Sequence, residues 1–209
     1  MIWVKSRDAP LSYMGQANES SDNMKILVLY GTTEGQTRKI CEFIGVRLRF
    51  KGDEVRQVDA AEPGERIDLN AYQGAIVAAS IHVGQYQSAV VDFARANQAR
   101  LNQMPSAFIS VSLSAVDSDS EERLSLATIA ENFRGYTGWT NAEIHHVAGA
   151  VRVSEYDFFK RLAMRMLAWE KKLKLEPGKD LELTDWAALG VTVDGLRARF
   201  VEANARKAD

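Results

Sequence analysis

The chain has 209 residues, of which 46% are hydrophobic and 26% charged, a balance typical of a folded globular domain and unlike that of disordered or collagenous chains. Its formal net charge of −2 at pH 7 gives no overall attraction to phosphate backbones, which argues against nucleic acid as a partner. The sequence contains no run of about 18 apolar residues and therefore predicts no membrane-spanning helix.

Residues 1–23 are interpreted as an extension that precedes the folded domain. They lack the apolar core of a signal peptide, are rich in small polar residues, and are followed by a second methionine, Met24. We expect residues 1–23 to be a disordered extension or a misplaced start, and residues 24–206 to form one domain. The single cysteine, Cys41, can form no internal disulfide and is consistent with a reducing, cytoplasmic location.

Five short apolar segments predict β-strands, and segments of helical character alternate with them. The predicted strands cover residues 25–30, 54–58, 75–79, 107–113 and 144–151. Hydrophobic residues recur at helical spacing over 36–51 and 88–103, and a polar stretch with helical tendency follows the fourth strand. Because parallel strands need crossover connections, this alternation predicts a doubly wound parallel α/β sheet that binds ligands beyond the carboxyl ends of its strands.

The loop GTTEGQT, residues 31–37, joins the first predicted strand to the first predicted helix. Backbone N–H groups at a helix N-terminus can receive a phosphate, the hydroxyls of Thr32, Thr33 and Thr37 can add donors, and Gly35 permits close approach. The loop has neither the GK[ST] of a triphosphate site nor the GxGxxG of a dinucleotide turn. In the alternative interpretation, Thr32 or Thr33 merely caps the helix.

Other catalytic chemistries find little support in the sequence. Two neighbouring histidines, His145 and His146, fall in a predicted strand where successive side chains point to opposite faces, so they are poorly placed to chelate one metal ion. No CxxC or HExxH motif occurs, and we expect no metal site. The serines near the strand ends lack the GxSxG context of a hydrolase nucleophile.

Four further stretches follow the loop: ASIHVGQYQSA (79–89), LNQMPSAFISVSL (101–113), VAGAVR (147–152) and LTDWAAL (183–189). The loop resembles the phosphate loop of flavodoxins, and the whole set resembles the short, menaquinone-dependent protoporphyrinogen oxidases of bacteria. This resemblance implies a flavodoxin-like, doubly wound five-stranded parallel sheet of order 2-1-3-4-5, non-covalently bound FMN, and an extra amphipathic helical segment before the last helix.

The resemblance also implies which residues contact the cofactor. The phosphate loop would comprise Thr32, Thr33, Glu34, Gly35, Gln36 and Thr37. The flavin ring would lie between two loops that contain Ser80, Ile81, His82, Val83, Gly84 and Tyr86 on one side and Ser112, Leu113 and Ser114 on the other. Tyr86 is expected to offer an aromatic face, although taken alone it is equally an ordinary, partly buried aromatic. His82 either stabilises the reduced anionic flavin or is a plain surface residue, and no residue is assigned as a catalytic base.

The activity implied by the resemblance is the oxidation of protoporphyrinogen IX to protoporphyrin IX, a step of heme biosynthesis, with electrons passed through FMN to a quinone. Two other functions stay open, a flavodoxin-type electron carrier and an FMN-dependent quinone reductase. Electron carriers are commonly strongly acidic, which steers them to basic partners, and a net charge of −2 fits that role less well.

The residues before the last helix have the pattern of an amphipathic basic helix. Over 158–169, Phe158 and Phe159 belong to an apolar stripe, while Lys160 and Arg161 carry positive charge. The helix either packs on its own domain or makes a peripheral contact with the cytoplasmic face of the inner membrane, where a lipid-soluble quinone is available. Self-association into a homo-oligomer also stays open.

Overall fold

Five strands of the protein form one parallel sheet. The computed structural model describes residues 23–113, 115, 120–151 and 181–208. The main strands are β1 (Lys25–Gly31), β2 (Glu54–Asp59), β3 (Gly74–Ser80), β4 (Ser106–Ser112) and β5 (Glu143–Ala148). They pair in the order β2-β1-β3-β4-β5, and every pairing is parallel, which confirms the predicted sheet.

Helices connect the strands and cover the sheet. They are α1 (Gln36–Phe50), α2 (Ser88–Ala96), the one-turn α3 (Gln98–Leu101), α4 (Ser120–Thr137) and α5 (Trp186–Ala208). A 3-10 turn, Leu69–Ala71, precedes β3. A short antiparallel pair, β6 (Ala150–Val151) with β7 (Leu181–Glu182), stands apart from the main sheet.

The two faces of the sheet bury two hydrophobic layers, as β1 shows. Ile26 and Val28 face a layer shared with α1 and α5, whereas Leu27 and Leu29 face a layer shared with α2 and α4. All four side chains are fully buried. A central parallel strand covered on both sides must be apolar at every position, which explains the uninterrupted KILVLY run.

The predicted helix over 88–103 is divided at Asn97, which separates α2 from α3. The side-chain amide of Asn97 donates a 2.8 Å hydrogen bond to the carbonyl oxygen of Phe93, and its backbone has φ −115° and ψ 11°. A side chain that takes the carbonyl four residues back competes with helix continuation, so the helix ends here and restarts. The prediction of one continuous helix is therefore wrong.

The predicted fifth strand over 144–151 is also divided. β5 ends at Ala148, and the next residue, Gly149, donates its N–H to Ser112 O at 3.0 Å while its own carbonyl accepts from Leu183 N–H at 3.1 Å. The chain thereby exchanges its partner in the main sheet for a partner beyond residue 180, and the last two predicted residues form β6.

Two predictions lie outside the described residues, namely the amphipathic segment 158–169 and residues 1–22 of the expected extension. Within residues 23–151 and 181–208, apart from the short gap at 114–119, no helix combines the length and apolar character needed to cross a bilayer.

Candidate functional site

An open cleft of about 270 Å³ lies at the carboxyl ends of β1, β3 and β4. Between β1 and β3 the strand order reverses, and in open α/β sheets this is the point at which ligands bind. The residues that line the cleft are Thr32, Thr33, Glu34, Gln36, Thr37, Ser80, Ile81, His82, Val83, Gly84, Val111, Ser112, Leu113, Gly149 and Ala150. The structure thus brings together twelve of the fifteen residues predicted from the sequence and adds Val111, Gly149 and Ala150.

Three predicted residues are not in this lining. Gly35 lies in the same loop as the lining residues Glu34 and Gln36, and its left-handed conformation shapes the backbone of that loop. Ser114 lies outside the described residues. Tyr86 lies elsewhere, in the core.

The structure places Tyr86 among buried aromatic rings and not against the cleft. Its side chain packs edge-on against Phe108 and Phe133, with ring centroids 4.9 and 5.3 Å away, and its hydroxyl donates a 2.9 Å hydrogen bond to Ser110 Oγ. Burial raises the pKa of the phenol. This corrects the predicted position of Tyr86, because a ring held from three sides in the core cannot turn a face to a cofactor in the cleft.

The loop between β1 and α1 is shaped to present backbone donors. Gly35 adopts a left-handed conformation with φ 88°, and its N–H donates to Thr32 Oγ1 at 2.8 Å. Lys39 N–H makes a 3.2 Å helical bond to Gly35 O, and the backbone N–H groups of the helical residues before it have no intrahelical acceptor. The N-terminus of α1, the positive end of the helix dipole, is therefore directed at the cleft.

Two buried hydroxyls in the cleft have no hydrogen-bond partner among the residues that the structure describes. Thr37 Oγ1 belongs to a fully buried residue in the first turn of α1, and Ser112 Oγ belongs to a residue only 8% exposed at the end of β4. An unsatisfied buried hydroxyl costs free energy and is uncommon in native proteins. Both hydroxyls line the cleft, so a polar ligand there would satisfy them.

Gln87, which the sequence interpretation missed, connects two of the cleft loops. Its carbonyl oxygen accepts from Ser80 N–H at 3.0 Å, and its amide donates to Ser80 Oγ at 2.5 Å and to Thr33 Oγ1 at 3.2 Å. One side chain thus fixes the loop after β1 to the end of β3. A single glutamine before a helix has no sequence signature, so only the structure identifies this role.

A tight turn forms one rim of the cleft. His82 and Gln85 exchange backbone hydrogen bonds of 2.8 and 3.1 Å, and the two residues between them, Val83 and Gly84, have φ of 50° and 76°. Two positive φ values are typical of a type I′ turn. Val83 is 81% exposed, so its side chain projects from the turn into solvent at the edge of the cleft.

Another part of the rim is held by Gln36, the first residue of α1. Its amide donates to the carboxylate of Glu182 and, at 2.9 Å, to Thr184 Oγ1. The Thr184 hydroxyl in turn donates to Ala148 O at 2.7 Å. This chain of contacts fixes the segment before α5 against the end of β5 and explains why Gly149 and Ala150 reach the cleft.

The ionisable groups of the lining are few. Among the described lining residues there is no lysine or arginine, and Glu34 and His82 are the ionisable side chains present. No group of three potential metal-ligating side chains occurs in the part of the chain that the structure describes. The cleft therefore offers hydroxyl and backbone N–H donors, a set that suits a monophosphate held within a fixed cradle.

Comparisons with known proteins agree with this geometry. The sequence pattern of the flavodoxin domain family matches residues 27–177. The chain is 31% identical over 166 residues to the Escherichia coli (strain K12) protein named protoporphyrinogen IX dehydrogenase [quinone], with 78% of this chain and 89% of that protein covered. A Leishmania major protein of the same name is 28% identical over 170 residues, with 81% and 73% covered.

A solved structure supports the fold. The rubredoxin oxygen:oxidoreductase from the anaerobe Desulfovibrio gigas superposes with a TM-score of 0.51 at 11% identity, and the match covers 87% of this chain but 37% of that one. At this identity the likeness concerns the fold alone. The sheet order, the site at its switch point and the match over residues 27–177 together show that the chain belongs to the flavodoxin domain family.

Proposed function

We propose that the protein is an FMN-dependent oxidoreductase that converts protoporphyrinogen IX to protoporphyrin IX and passes the electrons to a quinone. The names of relatives similar over about four fifths of the chain support this substrate and this acceptor. The flavodoxin fold supports FMN as the group that carries the electrons.

The observation that carries the proposal is the unpartnered hydroxyl of Thr37 at the positive end of α1. A phosphate at this point receives backbone N–H groups of the loop 32–37 and the Thr37 hydroxyl without needing a cation. The donor set therefore fits the monophosphate of FMN. The flavin ring would lie beside Ser80 to Gly84 and beside Ser112 and Leu113, where Ser112 Oγ supplies a second unpartnered hydroxyl.

Bound FMN would supply the redox chemistry, and the protein would orient it and control its surroundings. Thr37 and the α1 N-terminus would hold the phosphate, and Gln87 would keep the two loops in register by its bonds to Ser80 and Thr33. His82, exposed at the rim, is proposed to stabilise negative charge on the reduced ring. Solvent can serve as the proton acceptor for the substrate.

Peripheral membrane contact is a separate part of the proposal. The apolar pair Phe158 and Phe159 beside Lys160 and Arg161 supports it through the sequence pattern. Replacing both phenylalanines with serine should lower cosedimentation with anionic liposomes, and unchanged cosedimentation would contradict the contact.

The test of the proposed function uses the purified full-length protein. Its absorption spectrum and the flavin released on denaturation should identify FMN. With protoporphyrinogen IX and menadione under anaerobic conditions, porphyrin fluorescence should then appear only when both quinone and protein are present. Fluorescence equal to that of a no-protein control, despite bound FMN, would refute the reaction and leave an electron carrier as the better explanation.

A further inference from the structure

A second cavity lies beside the cleft, in a groove between α2 and α4. It has a volume of about 480 Å³, within the range of small-molecule sites. The residues that define its chemistry are Tyr86, Val91, Asp92, Ile129, Phe133 and Tyr136. None of these groove residues lines the cleft at the switch point.

The groove adjoins the cleft at one residue. Gly84 lines both cavities, so the turn over residues 82–85 is the wall between them. A ligand in the groove would thus lie next to a flavin ring in the cleft, separated by a single two-residue turn. The groove is therefore positioned to exchange electrons with that ring.

The surfaces of the groove suit a flat apolar ring. Tyr86 and Phe133 form a buried aromatic floor, and Val91 and Ile129 are partly buried side chains above it. Tyr136 forms the rim and is 62% exposed. Its hydroxyl accepts a 3.2 Å hydrogen bond from Arg95 Nη1, and the guanidinium lies 5.5 Å from the ring centroid, so the ring is held in place without a ligand.

Charge distinguishes between the two substrates of the proposed reaction. Asp92, an exposed carboxylate, lines the groove, and among the described lining residues there is no lysine or arginine. The nearby Arg95 is engaged with Tyr136 at the rim, so Asp92 is the charged group among the described lining residues, and it would repel the carboxylate side chains of a porphyrinogen. A quinone ring is neutral and apolar, and its carbonyl oxygens can accept hydrogen bonds from the hydroxyl and amide donors of Ser88 and Asn132.

We propose that the groove between α2 and α4 is the quinone site, distinct from the place where porphyrinogen meets the flavin. A quinone bound there would gain two electrons from the reduced flavin across the turn and two protons from solvent, and would leave as the quinol. The reoxidised flavin would release its proton to solvent. The proposal rests on the proposed function only for bound FMN and a quinone acceptor. It does not require porphyrinogen to be the donor.

The first test introduces a charge into the groove. Ile129→Glu and Val91→Glu each place a carboxylate where an apolar ring would lie, whereas Leu124→Glu, at a 69% exposed position of the same α4, serves as the control. FMN in each holoprotein is reduced photochemically and its reoxidation is followed by stopped-flow absorbance. We expect menadione to react on the order of tenfold more slowly with the groove variants, as burying a charge predicts, and ferricyanide to react with all of them equally.

Equal menadione rates for the groove variants and the Leu124→Glu control, at equal FMN content, would overturn the proposal. The proposal would also be overturned if the groove variants were reoxidised more slowly by ferricyanide to the same extent as by menadione, because that would indicate damage to the flavin site. Normal menadione rates in a wild-type protein that forms no porphyrin would refute the porphyrinogen reaction and leave the quinone site intact.

The second test reads binding without turnover. An arylazido derivative of menadione is photolysed with the full-length protein, with and without FMN, and labelled peptides are located by mass spectrometry. Labels on α2 and α4 that excess menadione displaces would support the groove, even in a protein that takes up no FMN. Labels confined to the cleft loops, or spread over the surface without displacement, would overturn it.

Discussion

Gln36 and Thr184 lie 148 positions apart in the chain, yet the amide of Gln36 donates a 2.9 Å hydrogen bond to the hydroxyl of Thr184. Gln36 begins α1 at the end of the phosphate-type loop, and Thr184 also donates to Ala148 O at the end of β5. The contact therefore joins the first and last parts of the fold at the edge of the cleft, next to the lining residues Gly149 and Ala150.

The two hydrogen bonds of the Thr184 hydroxyl, from Gln36 and to Ala148 O, can be tested by Thr184→Val. This substitution preserves side-chain shape and removes the hydroxyl. The Gln36 amide loses one of its two acceptors and Ala148 O loses its Thr184 donor, each loss costing about 1–3 kcal/mol if it leaves the group unsatisfied. We expect a lower free energy of unfolding in urea and weaker FMN binding by fluorescence titration. The control is Thr192→Val, whose hydroxyl bonds only to Ala188 O within α5. Equal free energies of unfolding and equal FMN affinities for the two variants would contradict a role of Thr184 in holding the edge of the cleft.

The Thr37 hydroxyl should contribute to the affinity for FMN and not to the stability of the flavin-free protein. Thr37→Val removes a fully buried hydroxyl for which the described part of the chain offers no partner. We expect the Kd for FMN to rise by about 10- to 100-fold, since a hydrogen bond to a charged group contributes about 1.5–3 kcal/mol. The stability of the flavin-free protein should stay equal or increase. Thr128→Val on α4 is the control, and an unchanged Kd for Thr37→Val would exclude phosphate binding at this point.

The turn at the rim of the cleft contains a residue poorly suited to its backbone. Val83 has φ 50°, a left-handed conformation that is costly for a β-branched side chain, and type I′ turns favour asparagine there. Val83→Asn should stabilise the flavin-free protein by about 1 kcal/mol and raise its Tm by roughly 2–4 °C in calorimetry. Val46→Asn replaces a similarly exposed valine in α1 and should give no gain. A Tm for Val83→Asn at or below the wild-type value would show that the turn holds no strain.

The ion pair between Asp53 and Arg197 anchors α5 to the turn before β2. The Asp53 carboxylate is fully buried, accepts 2.7 and 3.0 Å bonds from Arg197, and also accepts Met24 N–H at 3.1 Å. Arg197→Met leaves a buried charge without its cation and should cost about 3–5 kcal/mol of unfolding free energy.

The exposed pair of Arg206 and Glu202 provides the comparison for this prediction. Arg206→Met should cost about 0–1 kcal/mol, because solvent screens a surface ion pair. Chemical denaturation of both variants measures the difference. Similar losses would show that the Asp53–Arg197 pair contributes no more than a surface contact.

The sheet could be predicted from the sequence because its central strands are buried on both faces. Segments such as Leu27 to Leu29 must be apolar at every position, and this pattern is visible without coordinates. The break at Asn97 could not be predicted from periodicity, since it depends on whether a side-chain amide turns back to Phe93 O. The division after Ala148 depends on a partner, Leu183, that lies more than thirty residues further along the chain.

The position of the loops of the candidate site could be predicted from the strands that they follow. The orientation of individual side chains could not. The loop 31–37 follows β1 and must lie at the switch point, and five of its residues line the cleft there. Tyr86 follows the second cleft loop closely in sequence, but its ring turns inward to Phe108 and Phe133. Gln87, the next residue, points back to the cleft loops, and nothing in a single sequence distinguishes these two orientations.

The antiparallel pair of β6 and β7 has a consequence for how this region can vary. Because Val151 pairs with Leu181, the two ends of the segment 152–180 are held side by side, and Ala150 next to them lines the cleft. The length and composition of the intervening stretch can then change in evolution, or be shortened by design to a hairpin connection, without shifting a strand of the main sheet. The connection between β6 and β7 can in this way vary while the loop 31–37 and the first turn of α1 keep their place at the cleft.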